Sequence, residues 1–174
     1  MEKIWNNGGK SMRLFGRKKK EKKVFNENCV YAPVNGKTAS LESLEDGMFS
    51  EKIMGDGIVV VPSDGNFKSP VAGTVKAAFP TGHAYGFLTD DGKEVLLHIG
   101  IDTVELNGKG FRPHVKQGQK VSVGDKLVTV DLDVIKEGGY PSEAILIVTS
   151  GNSIKNRIPE NTEVQAEDSL MELE

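Results

Sequence analysis

Tyr85-Gly86-Phe87-Leu88-Thr89-Asp90-Asp91-Gly92-Lys93-Glu94-Val95-Leu96-Leu97-His98-Ile99-Gly100-Ile101 sets two apolar runs on either side of a polar turn. Asp91-Gly92 between such runs is a hairpin signal, because Gly accepts the positive φ of a tight turn. The candidate second strand, Glu94–Ile101, carries the anomaly of the chain: His98, a polar imidazole in its most apolar stretch. Burying that ring costs free energy unless it is hydrogen-bonded or used. A second histidine, His83, lies 15 residues earlier, a separation that one hairpin can close.

Whether the two rings meet depends on register. A two-residue loop makes paired residue numbers sum to 183, so Tyr85 faces His98 and His83 is a diagonal neighbour on the same face. A four-residue loop, Thr89–Gly92, gives 181 and sets His83 opposite His98. Both place the rings roughly 5–8 Å apart at Cβ. A three-residue loop would put them on opposite faces. Two of the three simplest registers therefore predict a histidine pair. Gly100 lies on His98's face and is expected to leave open space beside that ring. An isolated histidine in an apolar strand is more often an inert core residue; two converging beside Gly100 favour chemistry.

Working outward, further short apolar runs read as strands: Ile58–Val61, Gly73–Ala77, Tyr85–Leu88, Lys126–Val130 and Ala144–Val148. Pro62-Ser63-Asp64-Gly65, Pro80-Thr81-Gly82 and Val123-Gly124-Asp125 punctuate them as turns. Short strands at this spacing predict an all-β antiparallel sandwich or barrel with little helix. Leu132–Glu137 is expected to form one helical turn, and Leu41–Phe49 a short irregular segment. With few aromatic residues, the core must be mostly Val, Ile and Leu. Ser69–Val75 and Val121–Leu127 resemble turns of lipoyl- or biotin-carrier barrels, but no Met-Lys-Met tripeptide is present to carry a prosthetic group.

At 174 residues the chain suits one domain with a tail. Net charge is −3, distributed as +7 over residues 1–23 and −10 over the remainder. An acidic folded part disfavours nucleic acid and favours partners with a basic face. Residues 1–27 read as a basic, flexible, solvated tail, and residues 28–174 as the folded domain. In a sharper reading, Ile4, Trp5, Met12, Leu14 and Phe15 beside Arg17-Lys18-Lys19-Lys20 let the tail rest on an anionic membrane surface. Met12 is an alternative start. Cys29 is the sole cysteine, so no intrachain disulfide can form. No apolar stretch reaches the roughly 20 residues of a membrane span, and Asn6-Asn7-Gly8-Gly9 interrupts any leader-like core. A cytoplasmic protein is the expectation.

A neutral imidazole is a nitrogen nucleophile whose charge is adjusted near neutral pH. One ring of a pair can attack while the other donates a hydrogen bond to developing negative charge. Thr81, two residues before His83, is placed to orient that ring. His114 reads as a surface-loop residue without a chemical role. The chain lacks the Gly-x-x-x-x-Gly-Lys-Ser/Thr phosphate loop, and it has no His-x-His, His-Glu-x-x-His or Cys-x-x-Cys spacing. A phosphoryl carrier ranks above a zinc hydrolase using His83, His98 and Asp102.

Leu96-Leu97-His98-Ile99-Gly100-Ile101-Asp102-Thr103-Val104-Glu105-Leu106 strongly resembles the phosphorylation-site signature of glucose-type enzyme IIA of the bacterial phosphoenolpyruvate-dependent sugar phosphotransferase system. The resemblance extends through Phe49–Gly57, Ser69–Val75, Phe79–Ala84 and Gly118–Asp133, and covers nearly all of residues 30–150. It implies a β-sandwich of the duplicated-hybrid-motif type with a shallow apolar depression. By position, His98 resembles the residue phosphorylated through Nε2, His83 the one that stabilises the phosphoryl group, and Thr81 the one that orients His83. Phe49, Ile53, Met54, Phe79, Leu96 and Val104 resemble the apolar partner-binding patch, and Asp46 and Asp102 its acidic rim. The implied partners are the phosphocarrier HPr as donor and a cysteine of an enzyme IIB domain of a sugar permease as acceptor. The implied state is a monomer without a resident cofactor or metal. A zinc shared with a partner through His83 and His98, and a regulatory role controlled by phosphorylation, are the further readings it offers. Gly47, Gly82 and Glu143 depart from the commonest family pattern, and the chain after Val148 matches only loosely.

Overall fold

In a computed structural model, residues 23–174 are described in full, together with the backbone of two paired strands nearer the N-terminus, β1 (Lys3–Trp5) and β2 (Ser11–Arg13). The side-chain reading of the basic tail thus lies outside the described residues, except for its last part. There Phe25 packs edge-on against Tyr31 at 4.9 Å between centroids, and Lys23 pairs with Glu167.

The remaining elements are short, as the turn signals require. They are β3 (Cys29–Tyr31), β4 (Gly36–Ala39), β5 (Asp56–Pro62), β6 (Asn66–Lys68), β7 (Gly73–Ala78), β8 (Ala84–Leu88), β9 (Glu94–Ile99), β10 (Phe111–Pro113), β11 (Lys120–Val121), β12 (Lys126–Val130), α1 (Leu132–Glu137), β13 (Ala144–Val148), β14 (Ile154–Arg157), β15 (Glu163–Val164) and β16 (Ser169–Leu173). An eight-stranded antiparallel sheet runs β11-β7-β8-β9-β13-β5-β4-β15. Two three-stranded sheets, β10-β12-β6 and β14-β16-β3, complete the sandwich. α1 is capped by Asp131, whose carboxylate accepts from the N–H groups of Asp133 and Val134.

One core joins the large sheet to the small ones, through Ile58, Val60, Tyr85, Leu97 and Leu146 on one side and Phe67, Leu127, Val128 and Leu170 on the other. A second cluster lies on the opposite face of the large sheet, where Leu41, Leu44 and Phe49 cover Val59, Ile145 and Ile147. β13 is therefore buried on both faces, which explains why it reads Ala144-Ile145-Leu146-Ile147-Val148 without polar alternation. Each such side chain contributes about 2 kcal/mol on full burial. The two segments with a carrier-barrel echo meet in space: Gly124 N–H donates to Ser69 O, and Ser69 N–H donates to Asp125 O.

The hairpin register corrects the sequence reading. Ala84 pairs with His98, Tyr85 with Leu97 and Leu88 with Glu94, so paired numbers sum to 182. The loop is the three residues Asp90, Asp91 and Gly92, closed by Thr89 N–H donating to Lys93 O. Gly92 supplies the left-handed position at φ +89°, which this loop class needs at its third residue. The same Asp-Gly pair serves a two-residue turn, so composition alone did not separate the registers. β9 also ends at Ile99, two residues early, because Gly100 turns the chain at φ +76°.

Candidate functional site

Along β9, Val95, Leu97 and Ile99 point into the main core, while Leu96 and His98 face the other side of the sheet. The even register sets Ala84, not His83, opposite His98. The rings nevertheless meet, with centroids 5.1 Å apart and planes at 79°. His83 lies just before the first residue of the β8 ladder, where strand alternation no longer dictates direction. It is delivered by a turn in which Gly82 N–H donates to Phe79 O and Gly82 holds φ +76°. Any Cβ at Gly82 would also stand 3.1 Å from Phe111 Cβ and Pro113 Cγ. This departure from the family pattern thus has a local backbone cause.

The four rings Phe49, His98, His83 and Phe79 form a chain of contacts at 5.1, 5.1 and 5.5 Å. His98 Nδ1 lies 2.7 Å from Gly100 O. A carbonyl only accepts, so Nδ1 must carry the proton and Nε2 keeps its lone pair. His83 Nδ1 lies 2.6 Å from Thr81 Oγ1. With that hydroxyl donating, the His83 proton sits on Nε2. His83 is 4% exposed, and burial, reinforced by repulsion from His98, lowers its pKa to about 4. Burial also lowers the pKa of His98, opposed by the Gly100 carbonyl and the carboxylates of Asp102 and Asp46. Both rings are therefore neutral at neutral pH.

Gly100 does not open space, contrary to the sequence expectation. A Cβ there would meet Thr103 Cγ2 at 2.3 Å and Pro141 O at 2.7 Å. Its role is to turn the backbone so that its own carbonyl reaches His98. Room for a ligand lies elsewhere, in a depression of about 440 Å³ lined by Asp46, Met48, Phe49, His98, Asp102 and Val104, among others.

The expected apolar patch divides. Ile53 is 69% exposed, and Met54, Phe79 and Val104 are also exposed. Phe49 is only 3% exposed, so it offers a partner little contact area; it is the floor beneath the His98 ring. Leu96 is half-buried and packs on the second cluster. Asp102 is exposed at the start of the 3₁₀ turn Thr103–Leu106 that presents Val104. Asp46 accepts from the N–H groups of Phe49 and Ser50. Burial opposes its ionisation, but these donors outweigh that and lower its pKa. Asp46 thus also ties down the loop bearing the patch. Exposed Met48 and half-buried Ile101 line the depression and were missed; adjacency to Phe49 and Asp102 was their only sequence signal. Gly47 holds φ +72° with open space around it. His114 is exposed and stands apart from the pair. Among the described residues, no three His, Cys, Asp or Glu side chains cluster as a metal site. An interfacial zinc on His83 and His98 would need its other ligands from a partner.

A family model described as phosphoenolpyruvate-dependent sugar phosphotransferase system, EIIA 1, matches residues 28–154. The chain is 50% identical over 127 residues to the PTS system glucose-specific EIICBA component of Streptococcus pneumoniae, covering 73% of this chain and 18% of that relative. It is 44% identical over 141 residues to the PTS system glucose-specific EIIA component of Halalkalibacterium halodurans, covering 79% and 82% respectively. Among solved structures, the glucose permease IIA from Mycoplasma capricolum matches with a TM-score of 0.75 at 43% identity, over 82% of this chain and 93% of that one.

Proposed function

This chain belongs to the EIIA 1 family of the phosphoenolpyruvate-dependent sugar phosphotransferase system, and on that premise we propose that His98 carries the phosphoryl group. The protein is a phosphotransferase component that carries phosphoryl groups in sugar uptake. The observation that supports His98 as the carrier is the contact between its Nδ1 and Gly100 O, which leaves Nε2 as the lone-pair nitrogen beside His83.

His98 Nε2 attacks the phosphorus of a phosphohistidine on a donor protein, for which the small carrier HPr is proposed. The new N–P bond forms as the donor's N–P bond breaks, and the donor ring keeps the electron pair. His83, held by Thr81, donates from Nε2 to the phosphoryl oxygens, a hydrogen bond strengthened by low local dielectric. A thiolate of an enzyme IIB domain then attacks phosphorus, and the pair returns to Nε2. Ile53, Met54, Phe79 and Val104 supply contact area that excludes water, while Asp46 and Asp102 steer basic partners. Donor and acceptor share this face, so both interfaces are modest and transient. The proposed setting is the cytoplasm, as a monomer; no helix among the described residues is long and apolar enough to cross a membrane.

Incubation with phosphoenolpyruvate, enzyme I and HPr should add one acid-labile, base-stable phosphate. His98→Ala should abolish labelling, and His83→Gln should accept phosphate but pass it on at least tenfold more slowly. Undiminished labelling of His98→Ala would overturn the assignment.

A further inference from the structure

We propose that the cleft between β6 and β12, walled by His114, binds a small phosphate monoester. The cleft holds about 320 Å³ and shares no lining residue with the depression at His98. Its defining feature is a directly opposed cross-strand pair of like charge, Lys68 and Lys126. Such pairs repel and destabilise a sheet unless an anion offsets them. Neither lysine takes part in an ion pair among the described residues.

The one carboxylate in the lining, Asp64, is already engaged. Its Oδ2 accepts from Asn35 Nδ2 at 2.9 Å, and its Oδ1 accepts from Asn66 N–H at 2.9 Å. It holds the Ser63–Asn66 turn rather than the lysines. His114 meets Thr129 Oγ1 through Nε2 at 2.7 Å, so its Nδ1 has no partner among the described residues. The cleft thus gathers two ammonium groups, an imidazole, a hydroxyl and the side-chain amide of Asn66. This cationic cluster stands out on a domain whose charge beyond residue 23 is −10.

The chemistry selects a dianion of phosphate type, since two lysines act as adjacent point charges on its oxygens. The cleft is larger than a bare phosphate needs, and its amide and hydroxyl walls suit a polyhydroxy body. Phe67 and Val128 beneath it belong to the main core, at 2% and 1% exposed, so the cleft's recognition is polar rather than apolar.

The test is a ¹H–¹⁵N titration of the full chain at low ionic strength with glucose 6-phosphate, inorganic phosphate and glucose. The expected result is saturable shifts with glucose 6-phosphate, centred on the amides of Asn66, Lys68, His114 and Lys126, with none for glucose. The double variant Lys68→Gln/Lys126→Gln should bind at least tenfold more weakly with an otherwise unchanged spectrum, while Lys37→Gln on β4 should bind as the parent does. Absent saturation, shifts centred instead on His83 and His98, or unchanged affinity in the double variant would overturn the site. Equal affinity for inorganic phosphate would overturn the monoester as its ligand.

Discussion

At the loop end of the β8–β9 hairpin, Lys93 is 6% exposed, and its ammonium is held by both Asp91 and Asn28. The Thr89 hydroxyl there donates to Asp91 and accepts from Lys93 N–H. At the open end of the same hairpin, His83 is equally buried, yet each histidine is held through Nδ1 alone. Neither Nε2 has a partner among the described residues. Both ends bury polar groups, which costs free energy unless they are paired. The loop end gives its buried ammonium two side-chain partners and serves the fold. The open end pairs half of each ring and leaves both Nε2 atoms without a partner among the described residues, which suits the proposed roles of phosphorus acceptor for His98 and proton donor for His83.

Three perturbations probe this contrast, in falling order of effect. Gly100→Ala forces a Cβ into Thr103 and Pro141 at a left-handed φ. It should lower stability by more than about 3 kcal/mol and slow phosphorylation even in molecules that fold. Denaturant melts with single-turnover labelling would check this; parental behaviour in both would sever the link between Gly100 and the His98 ring.

On acidification the open end should respond first, because Lys93 holds the Asp91 carboxyl below the usual carboxylate range and delays its protonation at the loop end. The unfolded chain protonates His83 near 6.5 and the folded chain only near about 4, so the folded state binds fewer protons between those values. The contribution of His83 is intact above pH 6.5 and falls as pH drops towards 4, by on the order of 3 kcal/mol. In urea melts from pH 7 to 4, His83→Gln should lose less stability than the parent, and parallel curves would contradict the buried neutral ring. Lys93→Met should cost about 2 kcal/mol, from charge-assisted hydrogen bonds lost at the loop end, yet leave phosphate labelling unchanged. Loss of labelling would erase the division between the two ends.

Six of the seven longer strands, all but β16, were legible, with the helical turn after Asp131 and the two histidines, because apolar runs and Gly-containing turns mark them directly. β11 and β15, at two residues each, carry no periodicity to read. The hairpin register was not legible, since Asp91-Gly92 suits two loop lengths that differ by one residue and reverse every side chain. The histidine pair survives that reversal because His83 stands at the end of the ladder, its carbonyl still accepting from Ile99 N–H, directly after the turn at Gly82. Gly100 and Phe49 do adjoin the His98 ring, but the part each plays depends on three-dimensional packing. A glycine chosen for left-handed φ and one chosen for empty space look alike in sequence, as do a phenyl floor and a phenyl rim.

With His98 Nδ1 donating to Gly100 O and the Thr81 hydroxyl donating to His83 Nδ1, the paired rings carry opposite tautomers. Long-range ¹H–¹⁵N correlation of the ring nitrogens at pH 7.5 measures this directly. The predicted result is a neutral His98 with its proton on Nδ1 and a pyridine-like Nε2, beside a neutral His83 with its proton on Nε2. A proton on His98 Nε2, or on His83 Nδ1, would overturn this tautomer pair.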